Sequence, residues 1–133
     1  MKSPRFSIII PTLNEEKYLP HLLDSLCEQT EKNFEVIVVD GKSKDKTVHV
    51  AESYSKRIAL RVVISPVKNV SKQRNLGAGT ARGTWFLFID ADTIVLPYAL
   101  SRLQQYIQNS DAKVLTAWGK PDSEKIEESM HTL

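Results

Sequence analysis

Two acids separated by one residue, Asp90-Ala91-Asp92, follow an apolar run from Trp85 to Ile89. In an extended segment residues two apart point to the same side, so both carboxylates can face one ligand. Magnesium and manganese prefer oxygen ligands and commonly bind one or two carboxylates together with substrate phosphates. The pair therefore suits a metal that clamps a diphosphate and neutralises it as it departs, or else Asp90 ends a strand while Asp92 or Thr93 caps the next helix. Three further groups carry usable chemistry. Thr12, Asn14 and Glu15 follow a first apolar run, where backbone N–H groups at a helix N-terminus would favour an anion, although Glu15 equally complements a helix dipole. Asp40 follows Val36 to Val39 and precedes Gly41, so its carboxylate either accepts from a ribose hydroxyl or base N–H or closes a turn. Arg74, beside Asn75, is the cation for a phosphate if its helix crosses the same rim, and a solvent-facing residue if it does not.

These residues need a frame that brings them together. Phe6 to Ile10, Phe34 to Val39, Leu60 to Ile64 and Trp85 to Ile89 read as buried strands, and Lys113 to Trp118 as a fifth. Between them, helical spacing predicts helices over about Glu15–Glu28, Lys46–Tyr54, Val70–Ala81 and Pro97–Asn109, with Gly77 and Gly79 weakening the third. Ser43, Asp45 and Thr47 are expected to cap the second helix. Strand and helix alternate, which predicts an α/β fold with a mostly parallel sheet flanked by helices. In such sheets ligands bind beyond the carboxyl ends of the strands, near the point where strand order reverses. All three acidic groups fall there.

The 133 residues allow one domain, and 41% hydrophobic with 26% charged residues is close to the average of globular proteins and suggests neither a disordered nor a fibrous chain. A net charge of +2 gives no ground for a nucleic-acid partner. Lys68, Lys72, Arg74 and Arg82 nevertheless form a stretch without acids that can attract phosphates or an anionic membrane surface, or simply face solvent. Cys27 is alone, so no internal disulfide forms. His21, His49 and His131 lack ligand spacing for zinc. Trp85 and Trp118 are expected in the core rather than as platforms for a sugar. No segment has the apolar length of a membrane helix, and a cytoplasmic place is expected, either free or at the inner face of the membrane.

The blocks Ser7–Glu16, Val38–Thr47, Arg74–Gly77, Ala81–Gly83 and Phe88–Asp92, in this order and spacing, resemble family 2 glycosyltransferases over about residues 5 to 120. The resemblance implies a GT-A fold, a Rossmann-like half that binds a nucleoside-diphosphate sugar (UDP-, GDP- or dTDP-linked), and transfer to an acceptor with inversion at the anomeric carbon. It implies Mn2+ or Mg2+ as cofactor. It places Pro11, Thr12, Asn14 and Glu15 around the nucleoside, Asp40 on the base or ribose, and Arg74 and Asn75 at the border of the nucleotide. Asp90-Ala91-Asp92 becomes the DXD motif, with Asp92 as metal ligand and Asp90 near ribose, diphosphate and metal. Residues 1–120 are then the donor-binding domain and 121–133 a charged tail. Family members usually continue past this motif into an acceptor-binding part that supplies the general base. Asp122, Glu124, Glu127 and Glu128 read as a solvated tail, so no catalytic base is assigned. The expectation is an inverting, hexosyltransferase-like enzyme, with a membrane-associated partner or membrane segment outside this chain. The alternative is a non-catalytic nucleotide-sugar-binding module or a fragment of a transferase. A dinucleotide-dependent oxidoreductase would want a Gly-rich turn where Pro11-Thr12-Leu13-Asn14 stands.

Overall fold

The computed structural model describes residues 4–109. Strands β1 (Phe6–Thr12), β2 (Phe34–Asp40), β3 (Leu60–Ile64) and β4 (Trp85–Phe88) alternate with helices α1 (Leu19–Cys27), α2 (Thr47–Glu52), α3 (Val70–Thr80) and α4 (Ala99–Gln108). All strand pairs are parallel, in the order β3-β2-β1-β4. Growth of the sheet reverses between β1 and β4, which opens a crevice at their carboxyl ends. The expected α/β architecture is the one observed.

Alternation along the strands divides the core between two faces. Phe6, Ile8 and Ile10 join Val36 and Val38 in packing against the leucines of α1 and against Ala99, Leu100 and Leu103 of α4. On the other face Ile9, Ile37 and Val39 lie under α3. Gly77 makes that contact close: a Cβ there would stand 2.6 Å from Ile9 Cγ2 and 2.9 Å from Val39 Cγ2. The glycine that weakens the helix by propensity is thus what lets it lie flat on the sheet. Asn69 caps the start of α3, accepting from the Lys72 amide at 2.9 Å.

A buried polar cluster holds the other end of α3. Glu35 accepts from Ser7 Oγ at 2.6 Å, the Arg82 amide at 2.7 Å and Arg61 Nη1 at 2.6 Å, while Arg61 Nη2 donates to the Thr80 carbonyl. Burial pushes the Glu35 carboxyl up, but the three donors outweigh it and hold it below the usual glutamate range.

Several boundaries differ from the sequence reading. β1 runs through Pro11 to Thr12 instead of stopping at Ile10. Ile9 faces β4, accepting from the Ile89 amide, so Pro11 faces the same side just past the last β4 pair and forfeits no ladder bond. Helix α1 starts at Leu19 rather than Glu15, with Pro20 in its first turn. Trp85 packs against the larger core, as expected. The fifth strand over Lys113–Trp118, the 121–133 tail with its acids, and His131 lie outside the described residues. No helix among the described residues is long and apolar enough to cross a membrane.

Candidate functional site: the carboxyl rim of the sheet

The loops after β1 and β2 are laced together by side chains spaced two apart. The amides of Asn14, Glu15 and Glu16 donate to Ser43 Oγ (2.8 Å), Thr47 Oγ1 (2.8 Å) and Asp45 Oδ2 (3.2 Å). In return Asn14 Oδ1 accepts from the Lys44 amide at 2.8 Å. Asn14 adopts φ 54° to do so, a left-handed conformation that asparagine tolerates. This corrects two expectations. The three amides are consumed by the neighbouring loop and so are not open to an anion. Ser43 and Thr47 do not cap α2; they receive the β1–α1 loop, and only Asp45 reaches an α2 amide, that of Thr47 at 2.9 Å.

Beneath this lacing, Asp40 is 1% exposed. Its Oδ1 accepts from Thr12 Oγ1 (2.7 Å) and Ser43 Oγ (2.6 Å), and Oδ2 accepts from the Ser43 amide (2.8 Å). Oδ1 is thus doubly occupied, whereas Oδ2 holds one partner and keeps an acceptor site in reserve.

Over the β1/β4 crevice lies a cavity of about 270 Å³. Its walls include Pro11, Thr12 and Glu15 from the β1 side, Lys68 from the loop before α3, Gln73 from α3 itself, and Asp90, Ala91 and Asp92 from beyond β4. Asp90-Ala91-Asp92 is a turn, closed by the Thr93 amide on the Asp90 carbonyl at 3.1 Å, and not the extended segment expected. Ala91 is buried against the larger core and the two acids flank it. Its methyl group packs in the core between them. The chain beyond is pinned to α1: Ser25 Oγ accepts from Val95 N at 3.0 Å, and Gln29 Nε2 donates to the Leu96 carbonyl at 2.8 Å. Glu15 feels this crowding. Burial first, then the charges of Asp92, Asp45 and Asp90, push its carboxyl above the usual range.

Helix α3 supplies a residue that sequence reading missed. Gln73, 2% exposed, donates from Nε2 to the Thr12 carbonyl (3.0 Å) and the Val39 carbonyl (2.8 Å), tying the helix to the ends of β1 and β2 on the cavity floor. Its signal was position: it precedes Gly77 by one turn and so shares the sheet-facing stripe. Arg74 does not line the cavity but reaches its wall, with Nη2 3.3 Å from Asp90 Oδ1 and a buried Nε that takes no partner. Asn75 is exposed and away from the cavity wall. Among the described residues no cluster of three or more His, Cys, Asp or Glu stands ready to hold a metal unaided.

The sequence and the fold are shared with known proteins. A PGL/p-HBAD biosynthesis glycosyltransferase of Mycobacterium bovis is 43% identical over 94 residues, 69% of this chain and 37% of that protein. Staphylococcus aureus TarS, a poly(ribitol-phosphate) beta-N-acetylglucosaminyltransferase solved with UDP-GlcNAc, superposes with TM-score 0.80 at 31% identity, covering 90% of this chain and 36% of that one. The mannosyltransferase PcManGT of Pyrobaculum calidifontis, solved with GDP-Man and Mn2+, gives TM-score 0.77 at 25% identity, over 91% and 37%. The chain spans about a third of the length of the curated relatives it matches first. The fold shared with these structures is the Rossmann-like GT-A sheet. The glycosyl transferase family 2 model matches residues 7–132, nearly the whole length, and the chain belongs to that family.

Proposed function

We propose that the chain is the donor-binding part of a divalent-metal-dependent, inverting glycosyltransferase that takes its sugar from a nucleoside diphosphate. The observation that carries this reading is the convergence of Thr12, Glu15, Asp90 and Asp92, from the ends of β1 and β4, on one cavity with α3 as its floor. In this reading Pro11, Thr12 and Asp40 hold the nucleoside. Arg74, with donors to spare, steadies the diphosphate. Asp92, with Asp90, holds Mn2+ or Mg2+. The donor set fits: such a metal needs one or two carboxylates when phosphates complete its shell, and Glu15, Asp90 and Asp92 line one cavity. When bound, the ion offsets the charge of the leaving diphosphate. TarS with UDP-GlcNAc and PcManGT with GDP-Man and Mn2+ support the donor class and the metal. The base that deprotonates the acceptor is not among the residues assigned.

Calorimetric titration with UDP-, GDP- and dTDP-sugars, with and without manganese, tests the reading. Asp92→Ala is expected to abolish the metal-dependent part of binding with the far-UV spectrum unchanged. Manganese-dependent affinity equal to wild type would remove Asp92 from the site. One second reading is a donor-binding part without turnover of its own, since no general base is assigned among the residues that line the cavity. Binding without transfer or donor hydrolysis would identify it, and the anomeric configuration of any product, read by NMR, decides inversion.

A further inference from the structure

At the outer end of the rim, beside the β1 loop that carries Glu15 and Glu16, the loops after β2 and β3 lie side by side, joined by the Ser65 amide on the Asp40 carbonyl at 2.7 Å. The β2 loop exposes Lys42, Lys44 and Lys46 at alternate positions, and Lys68 follows on the β3 loop. None of these ammonium groups has an ion-pair or hydrogen-bond partner among the described residues. The one acid from Gly41 to Lys46 is Asp45, whose oxygens serve Thr47 and the Glu16 amide, and there is none from Ile64 to Lys72. Beside the lysines stand apolar side chains that the fold leaves out: Ile64, 52% exposed at the end of edge strand β3, and Val67, 39% exposed. Lys42 is held at φ 66°, where glycine or asparagine would sit at less cost.

We propose that this β2–β3 corner docks the protein on an anionic lipid bilayer. Lysines attract the headgroup layer while Ile64 and Val67 enter its apolar boundary, the combination that holds proteins at a membrane surface. A soluble polyanion satisfies the four cations but has no use for the two apolar side chains, which is why the bilayer is the better match. Lys68 also lines the cavity, so docking sets the cavity mouth beside the bilayer surface. The proposal is independent of the donor reading, since Lys42, Lys44, Lys46, Ile64 and Val67 do not line the cavity.

The test is co-sedimentation of the full chain with vesicles of phosphatidylcholine alone and of phosphatidylcholine mixed with phosphatidylglycerol, at low and physiological salt. Wild type is expected to bind the anionic vesicles only, more weakly as salt rises. Lys42→Ser, Lys44→Ser and Lys46→Ser together should lower that affinity about a hundredfold. The Ile64→Ser, Val67→Ser double variant should lose the binding that survives physiological salt. Lys42→Asn separates docking from folding: it is expected to leave the urea midpoint unchanged or higher while weakening vesicle binding. Absence of vesicle binding, equal binding to neutral vesicles, or a triple variant that binds like wild type would overturn the proposal. So would inorganic polyphosphate that binds wild type and the Ile64→Ser, Val67→Ser variant alike and displaces both from vesicles completely, since the corner would then serve soluble polyanions.

Discussion

Glu15 is a carboxylate in a place that disfavours its charge. Burial and the neighbouring Asp92, Asp45 and Asp90 raise its affinity for a proton in the folded state. The folded chain therefore loses stability as pH climbs from the ordinary glutamate range through the raised value, and the cost persists at neutral pH. Glu15→Gln should raise the melting temperature of the ligand-free protein at pH 7, with the gain vanishing in acid, where the wild-type group is protonated. A variant no more stable than wild type at pH 7 would dissociate the acid cluster from the strain assigned to it. The identity of this cluster was legible in the sequence because Glu15, Asp90 and Asp92 each follow an apolar strand. Their orientation was not: the turn at Asp90-Ala91-Asp92 depends on Ala91 fitting the core, a tertiary fact that spacing does not carry.

Helix α3 shows how an element is placed by what it lacks. Gly77→Ala gains helix propensity of about 1 kcal/mol but drives a methyl into Ile9 and Val39, for which overpacking costs about 1–3 kcal/mol. Gly79 has open space around it, so Gly79→Ala keeps the gain alone. Urea denaturation should separate the two, with Gly79→Ala stabilised and Gly77→Ala destabilised; equal shifts would mean that α3 is not seated on Gly77. At its far end, Glu35→Gln should destabilise the protein by about 3 kcal/mol at neutral pH by breaking a buried charge cluster. Because the Glu35 carboxyl is held low, wild type keeps this contribution above the usual glutamate range and loses it as pH falls through the depressed value. The unfolding free energy of the variant should therefore fall less steeply in acid. Helices and strands were recognised from their periods in every described case, whereas ends were missed where distant residues intervene. Helix α1 starts late because the amides of residues 14–16 are claimed by side chains some thirty positions away.

For the molecule as a whole, the donor reading predicts linkage between occupancy and stability. A donor with manganese at about a hundred times its dissociation constant should raise the unfolding free energy by about 2.7 kcal/mol, read as a thermal shift that Asp92→Ala abolishes. A shift of equal size without manganese would take the metal out of the reading. The parallel sheet was foreseeable from alternation; its strand order and the division of the carboxyl rim into an acidic crevice and a basic, partly apolar corner were not, because they need the loops after β2 and β3 in one place. The reciprocal hydrogen bonds between residues 14–16 and 43–47 have a mechanical consequence. Two segments far apart along the chain become one stiff plate, so force applied to one is felt by the other. Thr12, Asp40 and Ser43 form an unbroken chain of hydrogen bonds from the crevice to the strip that carries the three lysines.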